Sequence, residues 1–196
     1  MARRMAWSRR GPTGWDRLGV LRQLIGTTRS VGVLLRSLLQ GSSEVAGITV
    51  HGPQGFREQV AAALRLLDAE APESFRLCER YFGMVIMSRH SGVDVQARPV
   101  IVMLGEWAAS ASPRYVACTL AHEAFHCRLY WSYREDHPGA HHVPREVFSG
   151  ENAERECLEY QIEVLRQLGG TDQEASGLRD SLKTEYWKVP WLQRTW

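Results

Sequence analysis

Five consecutive residues in the second half of the chain have the types and spacing of a zinc-binding catalytic motif. His122 and His126 are four positions apart, and Glu123 directly follows the first histidine. On a helix, residues four apart lie one turn apart on the same face, so both imidazoles can reach one Zn²⁺ ion. Glu123 can then meet a water molecule bound to that ion and accept its proton. The motif therefore predicts a zinc-activated water with Glu123 as the general base.

A site of this kind needs a third protein ligand. The extended pattern HExxHxxGxxH is excluded, because the chain has Leu129 and Ser132 at the glycine and final histidine positions. A second helix, predicted over residues 151–168, offers several glutamates. Glu154 shares the apolar face of that helix, which must pack against the motif helix. Glu154 is therefore the predicted ligand, with Glu151, one turn earlier on the same face, as the reserve.

Residues 112–168 resemble the gluzincin type of zinc metallopeptidase. The resemblance rests on HExxH at 122–126 and on Glu154-Arg155-Glu156-Cys157 in a downstream helix. It implies a zincin-like fold, zinc bound by the two histidines and Glu154, and hydrolysis of peptide bonds in a peptide or protein substrate. Many members of this type place Asp or Asn four residues after the ligand glutamate to brace a ligand histidine. This chain has Leu158 there, so Gln161 or a loop residue would have to provide the brace.

Two alternatives remain open at the sequence level. In SprT-like proteases the last ligand is a histidine in the loop after the motif helix, and His141 resembles that arrangement. His141, His142 and Tyr130 are also candidate donors to the oxyanion of the reaction. The second alternative is a zinc-stabilised binding module without catalytic activity, in which the same residues hold a structural ion.

The helices and strands that must position these residues are predicted to form an α+β fold. Ser112 followed by Pro113 predicts the start of a long helix that ends near Asp136 and carries the motif at its centre. Thr171 and Glu174 form a capping box for a third long helix. Upstream, helices are predicted over 56–67 and 75–81, and short strands over 48–50, 84–87 and 100–104.

The predicted sheet is small and mostly antiparallel. The apolar runs 84–87 and 100–104 are expected to be antiparallel neighbours, because a turn-prone segment separates them. The second run lies shortly before the motif helix. It is therefore the predicted edge strand, to which the main chain of a substrate peptide would add.

Charge divides the 196-residue chain into two parts. Residues 1–40 contain eight arginines and one acidic residue, a net charge of +7, while the whole chain carries only +2. The sequence therefore predicts a basic N-terminal arm with an amphipathic helix over 1–43 and a metallopeptidase domain over 44–196. The arm suits an anionic membrane surface or a protein partner, and the low total charge makes nucleic acid an unlikely partner.

The four cysteines predict small buried thiols rather than a disulfide framework. They form no CxxC pair and are sparse for a secreted scaffold of this kind. The expected location is therefore the cytoplasm, with possible membrane association through the basic arm.

Overall fold

The computed structural model describes residues 35–188, which form the α+β fold that the sequence predicts. The strands are β1 (Ser42–Val45), β2 (Ile48–His51), β3 (Phe82–Ser88), β4 (Gly92–Asp94) and β5 (Val100–Gly105). The helices are α1 (Gln54–Glu70), α2 (Pro72–Tyr81), α3 (Pro113–Asp136), α4 (Arg145–Phe148), α5 (Glu151–Gln167) and α6 (Asp172–Lys183). Two short 3₁₀ helices are Glu106–Ala109 and Tyr186–Lys188, and residues 35–39 are also helical.

The five strands form one mixed sheet in the order β1-β2-β3-β5-β4. β3 is parallel to both β2 and β5, whereas β1 and β4 pair antiparallel with β2 and β5. The prediction of antiparallel runs 84–87 and 100–104 is therefore wrong. The reason is β4: the chain turns back after β3, runs along β4, and turns again, so β5 returns in the direction of β3.

The prediction that 100–104 forms the edge of the sheet is also wrong. β5 lies between β3 and β4 and is hydrogen-bonded on both sides. The edge strand next to it is β4, a three-residue strand within the segment that was predicted to be turn-prone. β4 also contacts α3, so this edge of the sheet lies next to the motif helix.

Side chains alternate across the two central strands and bury both faces of the sheet. In β5, Val100, Val102 and Leu104 belong to the main core beneath the helices. Ile101 and Met103 point to the opposite face, where they pack in a second apolar cluster that includes Leu38. Strands buried on both faces have continuous apolar sequences and are typical of parallel pairing, which agrees with the β3–β5 register.

Helix α3 is the central helix of the domain. It is 24 residues long, it begins and ends where the sequence predicts, and the side chain of Ser112 accepts a hydrogen bond from the backbone N–H of Tyr115. It packs against α1, α2 and α5. Because neighbours cover it on several sides, every residue from Val116 to Ala124 is buried. The HExxH motif therefore lies in the interior of the protein.

Most of the predicted basic arm lies outside the described residues. Within the described part, Gly41 precedes β1 with a φ of 102°, and β1 spans the predicted boundary at residues 43 and 44. Ser37 donates a hydrogen bond to the carbonyl oxygen of Met87, which joins the helical residues 35–39 to β3. Among the described residues, no helix combines the length and apolar character needed to cross a bilayer.

Replacement of Ser112 by alanine tests the cap of α3. The substitution removes the side-chain acceptor for the Tyr115 N–H, and we expect it to lower the free energy of unfolding by about 1 kcal/mol. Urea denaturation measures this change. Ser132→Ala, at an exposed position near the C-terminal end of the same helix, is the control and should change stability by less than about 0.5 kcal/mol. Equal effects of the two substitutions would contradict a capping role for Ser112.

Candidate metal centre

The two histidines of the motif face each other inside the helical layer. Their Nε2 atoms are 3.0 Å apart, and the side chains lie on successive turns of α3. His122 is 8% exposed and His126 is 6% exposed. Two lone pairs cannot face each other at this distance without repulsion, so the pair needs either a shared proton or a cation between the two nitrogens.

Glu154 completes a triangle of donor atoms with the two histidines. Its Oε2 lies 3.5 Å from Nε2 of His122 and 3.6 Å from Nε2 of His126, and the residue is 5% exposed. Metal–ligand bonds of about 2.0–2.1 Å in a tetrahedral zinc site place neighbouring donors about 3.3 Å apart. The three atoms therefore have the spacing of one face of a tetrahedron. Packing of α5 against α3 produces this spacing.

A backbone carbonyl fixes the tautomer of His126. Nδ1 of this ring lies 2.8 Å from the carbonyl oxygen of Phe148, at the end of α4. Because a carbonyl can only accept, Nδ1 must carry the proton and donate it. In a neutral imidazole the other nitrogen, Nε2, then has a free lone pair directed at Glu154 and His122. This is the tautomer that a metal ligand requires.

Cys157 is a further residue of the centre and is not among the residues predicted from the sequence. It lies one turn after Glu154 on α5, is fully buried, and places Sγ 3.3 Å from Nδ1 of His126. His122, His126 and Cys157 lie close enough together to bind a metal ion, with donor atoms within 4.8 Å of one another. The sequence signal was its position three residues after Glu154, which puts both side chains on one helix face.

The electrostatics of the centre favour a charged carboxylate and a protonated imidazole. Burial alone would raise the pKa of Glu154, but hydrogen bonds and charge from His122 and His126 outweigh it and hold the pKa far below its usual value. Burial alone would lower the pKa of His126, yet Cys157 and Glu154 beside the ring raise it well above its usual value. Burial also raises the pKa of the Cys157 thiol. Without a cation, the additional proton of His126 is therefore on Nε2, which faces His122 and Glu154.

Glu123, the acidic residue of the motif, is on α3 with the two histidines. It follows His122 in the sequence, so its side chain is turned about 100° around the helix from the first ligand. The residue is buried, with 5% of its surface exposed. Its carboxylate is near enough to Cys157 to contribute to the raised pKa of that thiol. The acidic residue of the motif therefore shares the interior compartment of the two histidines.

Glu151, the reserve ligand, lies apart from the centre. It is exposed at the first position of α5 and pairs with Arg155 at 3.4 Å. Gly150, immediately before it, has a φ of 140°, a conformation that favours glycine. This turn separates Phe148, whose carbonyl contacts His126, from Glu154 on the next helix, and it sets the direction in which α5 begins.

The other candidates from the sequence lie outside the triangle. His141 and His142 are exposed in the loop between α3 and α4. Tyr130 is 9% exposed and packs edge-on against Phe148, with ring centroids 5.2 Å apart. Tyr130 therefore supports the segment that braces His126. All four cysteines are buried free thiols, as the sequence predicts.

Comparison with known proteins gives no family assignment. No protein-family model, curated protein or solved structure matches the chain. The function must therefore be inferred from the side chains of the site itself.

The raised pKa of His126 predicts the pH dependence of metal binding. An ion bound to Nε2 must displace the proton that His126 holds in the metal-free protein. Below the raised pKa of His126, the apparent affinity for the metal should therefore increase about tenfold for each unit by which the pH rises. Competition with a chelator at several pH values, corrected for the protonation of the chelator, measures this slope. An affinity that is already independent of pH just above about 6.5, the ordinary pKa of histidine, would contradict the raised pKa of His126.

Proposed function

We propose that the protein is a zinc-dependent metallopeptidase that hydrolyses peptide bonds in a peptide or protein substrate. The observation that carries the proposal is the triangle of His122, His126 and Glu154, with edges of 3.0, 3.5 and 3.6 Å. Two imidazole nitrogens and one carboxylate are the ligand set of many catalytic zinc sites, which keep the fourth position open. The resemblance to gluzincins and a zincin-like classification of the α+β fold belong to the same proposal.

The donor atoms fit zinc better than the harder divalent ions. Imidazole nitrogen suits Zn²⁺, whereas Mg²⁺ and Ca²⁺ prefer six or more oxygen ligands. The cradle is also pre-formed, because Phe148 holds Nδ1 of His126 and leaves Nε2 of that ring free. When zinc is bound, it supplies the Lewis acidity that activates a water molecule and polarises the carbonyl of the substrate.

Glu123 is the proposed proton carrier of the reaction. Its carboxylate accepts the proton of the attacking water and delivers it to the leaving amine. Burial keeps bulk water away from this exchange, because Glu123 and both ligand histidines are all at most 8% exposed. The low polarity of the surroundings strengthens every electrostatic interaction within the site.

A groove beside β4 is the proposed binding site for the substrate. It has a volume of about 200 Å³ and is lined by Val93, Asp94, Val95, Gln96, Met103 and Phe148. Phe148 connects the groove to the metal centre, because its carbonyl oxygen contacts His126. An extended peptide can add to the outer edge of β4 by main-chain hydrogen bonds and place one side chain in the groove. The corrected edge strand therefore takes the role that the sequence analysis gave to β5.

A zinc-stabilised binding module is the second candidate, and Cys157 is the observation that favours it. Its sulfur lies within 4.8 Å of the donor atoms of both histidines. If Glu154 and Cys157 both coordinated the ion, four protein ligands would close the site and leave no position for water. Such a centre would stabilise the fold without hydrolysing a substrate.

Glu123→Gln tests the proposed reaction. The amide cannot accept the proton of water, so we expect the variant to retain one equivalent of zinc and lose peptidase activity by about 10²–10⁴-fold. Elemental analysis measures the metal, and mass spectrometry of a digested peptide library measures turnover. Zinc-loaded protein that cleaves no peptide would instead support the binding module. A variant as active as the original protein would contradict the role of Glu123 as general base.

The ligand set can be tested in the same assays. Glu154→Ala should weaken zinc binding by orders of magnitude, because it removes one of three ligands, whereas His141→Ala should leave the affinity unchanged. Loss of zinc in His141→Ala alone would support the SprT-like arrangement.

Gln96→Trp tests the groove. Gln96 is exposed at the rim, so a bulky side chain there obstructs the groove without entering the core. We expect KM for a cleaved peptide to rise about tenfold, with unchanged zinc content. Gln96→Ala is the matched control and should leave KM nearly unchanged. If the tryptophan variant binds peptide as well as the original protein, the substrate does not occupy this groove.

A further inference from the structure

The ring of His126 has two close neighbours on its Nδ1 side. The carbonyl oxygen of Phe148 is 2.8 Å away, and Sγ of Cys157 is 3.3 Å away. We infer that Cys157 is a positioning residue of the metal centre, whose sulfur shares the Nδ1–H of His126 with the Phe148 carbonyl and keeps Nε2 directed at the ion. This inference rests on the proposed metal site, and it assigns Cys157 a role outside the ligand set.

The direction of the hydrogen bonds follows from the acceptor. Phe148 contributes a carbonyl oxygen, so the proton is on Nδ1, and the sulfur beside it then receives part of the same N–H as a second, weaker acceptor. Both contacts oppose rotation of the imidazole about its bond to Cβ. A ligand ring held in this way loses less freedom when the ion binds, which raises the affinity for the metal.

The position of the sulfur argues against direct coordination. The other donors converge on the Nε2 side of His126, where Glu154 is 3.6 Å and His122 is 3.0 Å away. Cys157 contacts the opposite nitrogen of the same ring. To bind an ion held by Nε2, the sulfur would have to leave Nδ1 and lose its own proton.

The two histidines differ in the contacts that their Nδ1 atoms make. Leu158, four residues after Glu154, offers no hydrogen bond to a histidine and is packed in the core at 3% exposure. The buried Nδ1 of His122 has no hydrogen-bond partner among the described residues. The bracing is therefore concentrated on His126. Because Cys157 is one turn from Glu154, a single helix delivers both a ligand and a brace.

Two substitutions of Cys157 test this role. Cys157→Ala removes the second acceptor, and we expect zinc affinity to fall about tenfold in chelator competition. Cys157→Ser keeps an acceptor at the same position and should restore most of the affinity. Cys78→Ala is the matched control, because it removes an equally buried thiol from α2, and it should leave the affinity unchanged.

Cobalt substitution separates positioning from coordination. If Cys157 does not bind the ion, the Co²⁺ protein should lack a thiolate-to-cobalt charge-transfer band, and its spectrum should keep the same form in Cys157→Ser. A charge-transfer band that disappears in Cys157→Ser would overturn the inference, because the sulfur would then be a ligand.

Other results of the zinc-affinity measurements would also contradict the inference. Full zinc affinity in Cys157→Ala would show that the Phe148 carbonyl is sufficient. Equal losses of zinc affinity in the alanine and serine variants, or a similar loss in Cys78→Ala, would show that the substitutions act by disturbing the packing of the core. If the original protein binds neither zinc nor cobalt, the proposed function fails together with the inference. If the original protein binds zinc normally but the Cys157 variants behave in one of these ways, only the inference about Cys157 fails.

Discussion

The structure of the site depends on how the protein accommodates one buried carboxylate. Removing a charge from water costs several kcal/mol unless a partner of opposite charge and hydrogen bonds replace the solvent. Glu154 is 5% exposed, and its partners are the two imidazoles of α3. The requirement constrains the packing of α5 against α3, because a shift between the helices would lengthen the contacts of the carboxylate with the two imidazoles and weaken its compensation. A divalent cation satisfies the same requirement more completely, since it provides two positive charges at the point where the three donors meet.

The proximity of the two motif histidines could be predicted from the sequence because it depends only on their spacing along one helix. His122 and His126 are one helical turn apart wherever the helix lies, and the cap at Ser112 set the start of that helix correctly. Glu154 required one further step, the assignment of the apolar face of α5. The strand order did not follow from such rules. β4 has only three residues, and its pairing with β5 depends on a chain reversal that leaves little trace in periodicity. The parallel β3–β5 pair and the true edge were missed for this reason.

The groups that orient His126 were missed for a different reason. Every residue has a carbonyl, so the contact from Phe148 depends entirely on how the turn through Gly150 directs the chain from α4 into α5. Cys157 lies among apolar residues on α5, and a free cysteine in such a position is usually a small hydrophobic side chain. Only its distance from Nδ1 distinguishes it from Cys78, which is equally buried on another helix. Interactions that orient a candidate ligand thus required tertiary structure, whereas the candidate ligands could be proposed from the sequence.

The position of one sulfur atom decides between a catalytic and a structural centre. A ligated thiolate would occupy the fourth vertex of the tetrahedron and exclude water, whereas a thiol held on Nδ1 of His126 leaves that vertex open. Burial raises the pKa of Cys157 and so opposes formation of the thiolate. Glu154 already supplies one negative charge to the triangle. Its charge reduces the electrostatic stabilisation that a Cys157 thiolate would gain at the same place. In the metal-free protein, the same low-polarity interior that forces Glu154 to be paired therefore favours the neutral thiol.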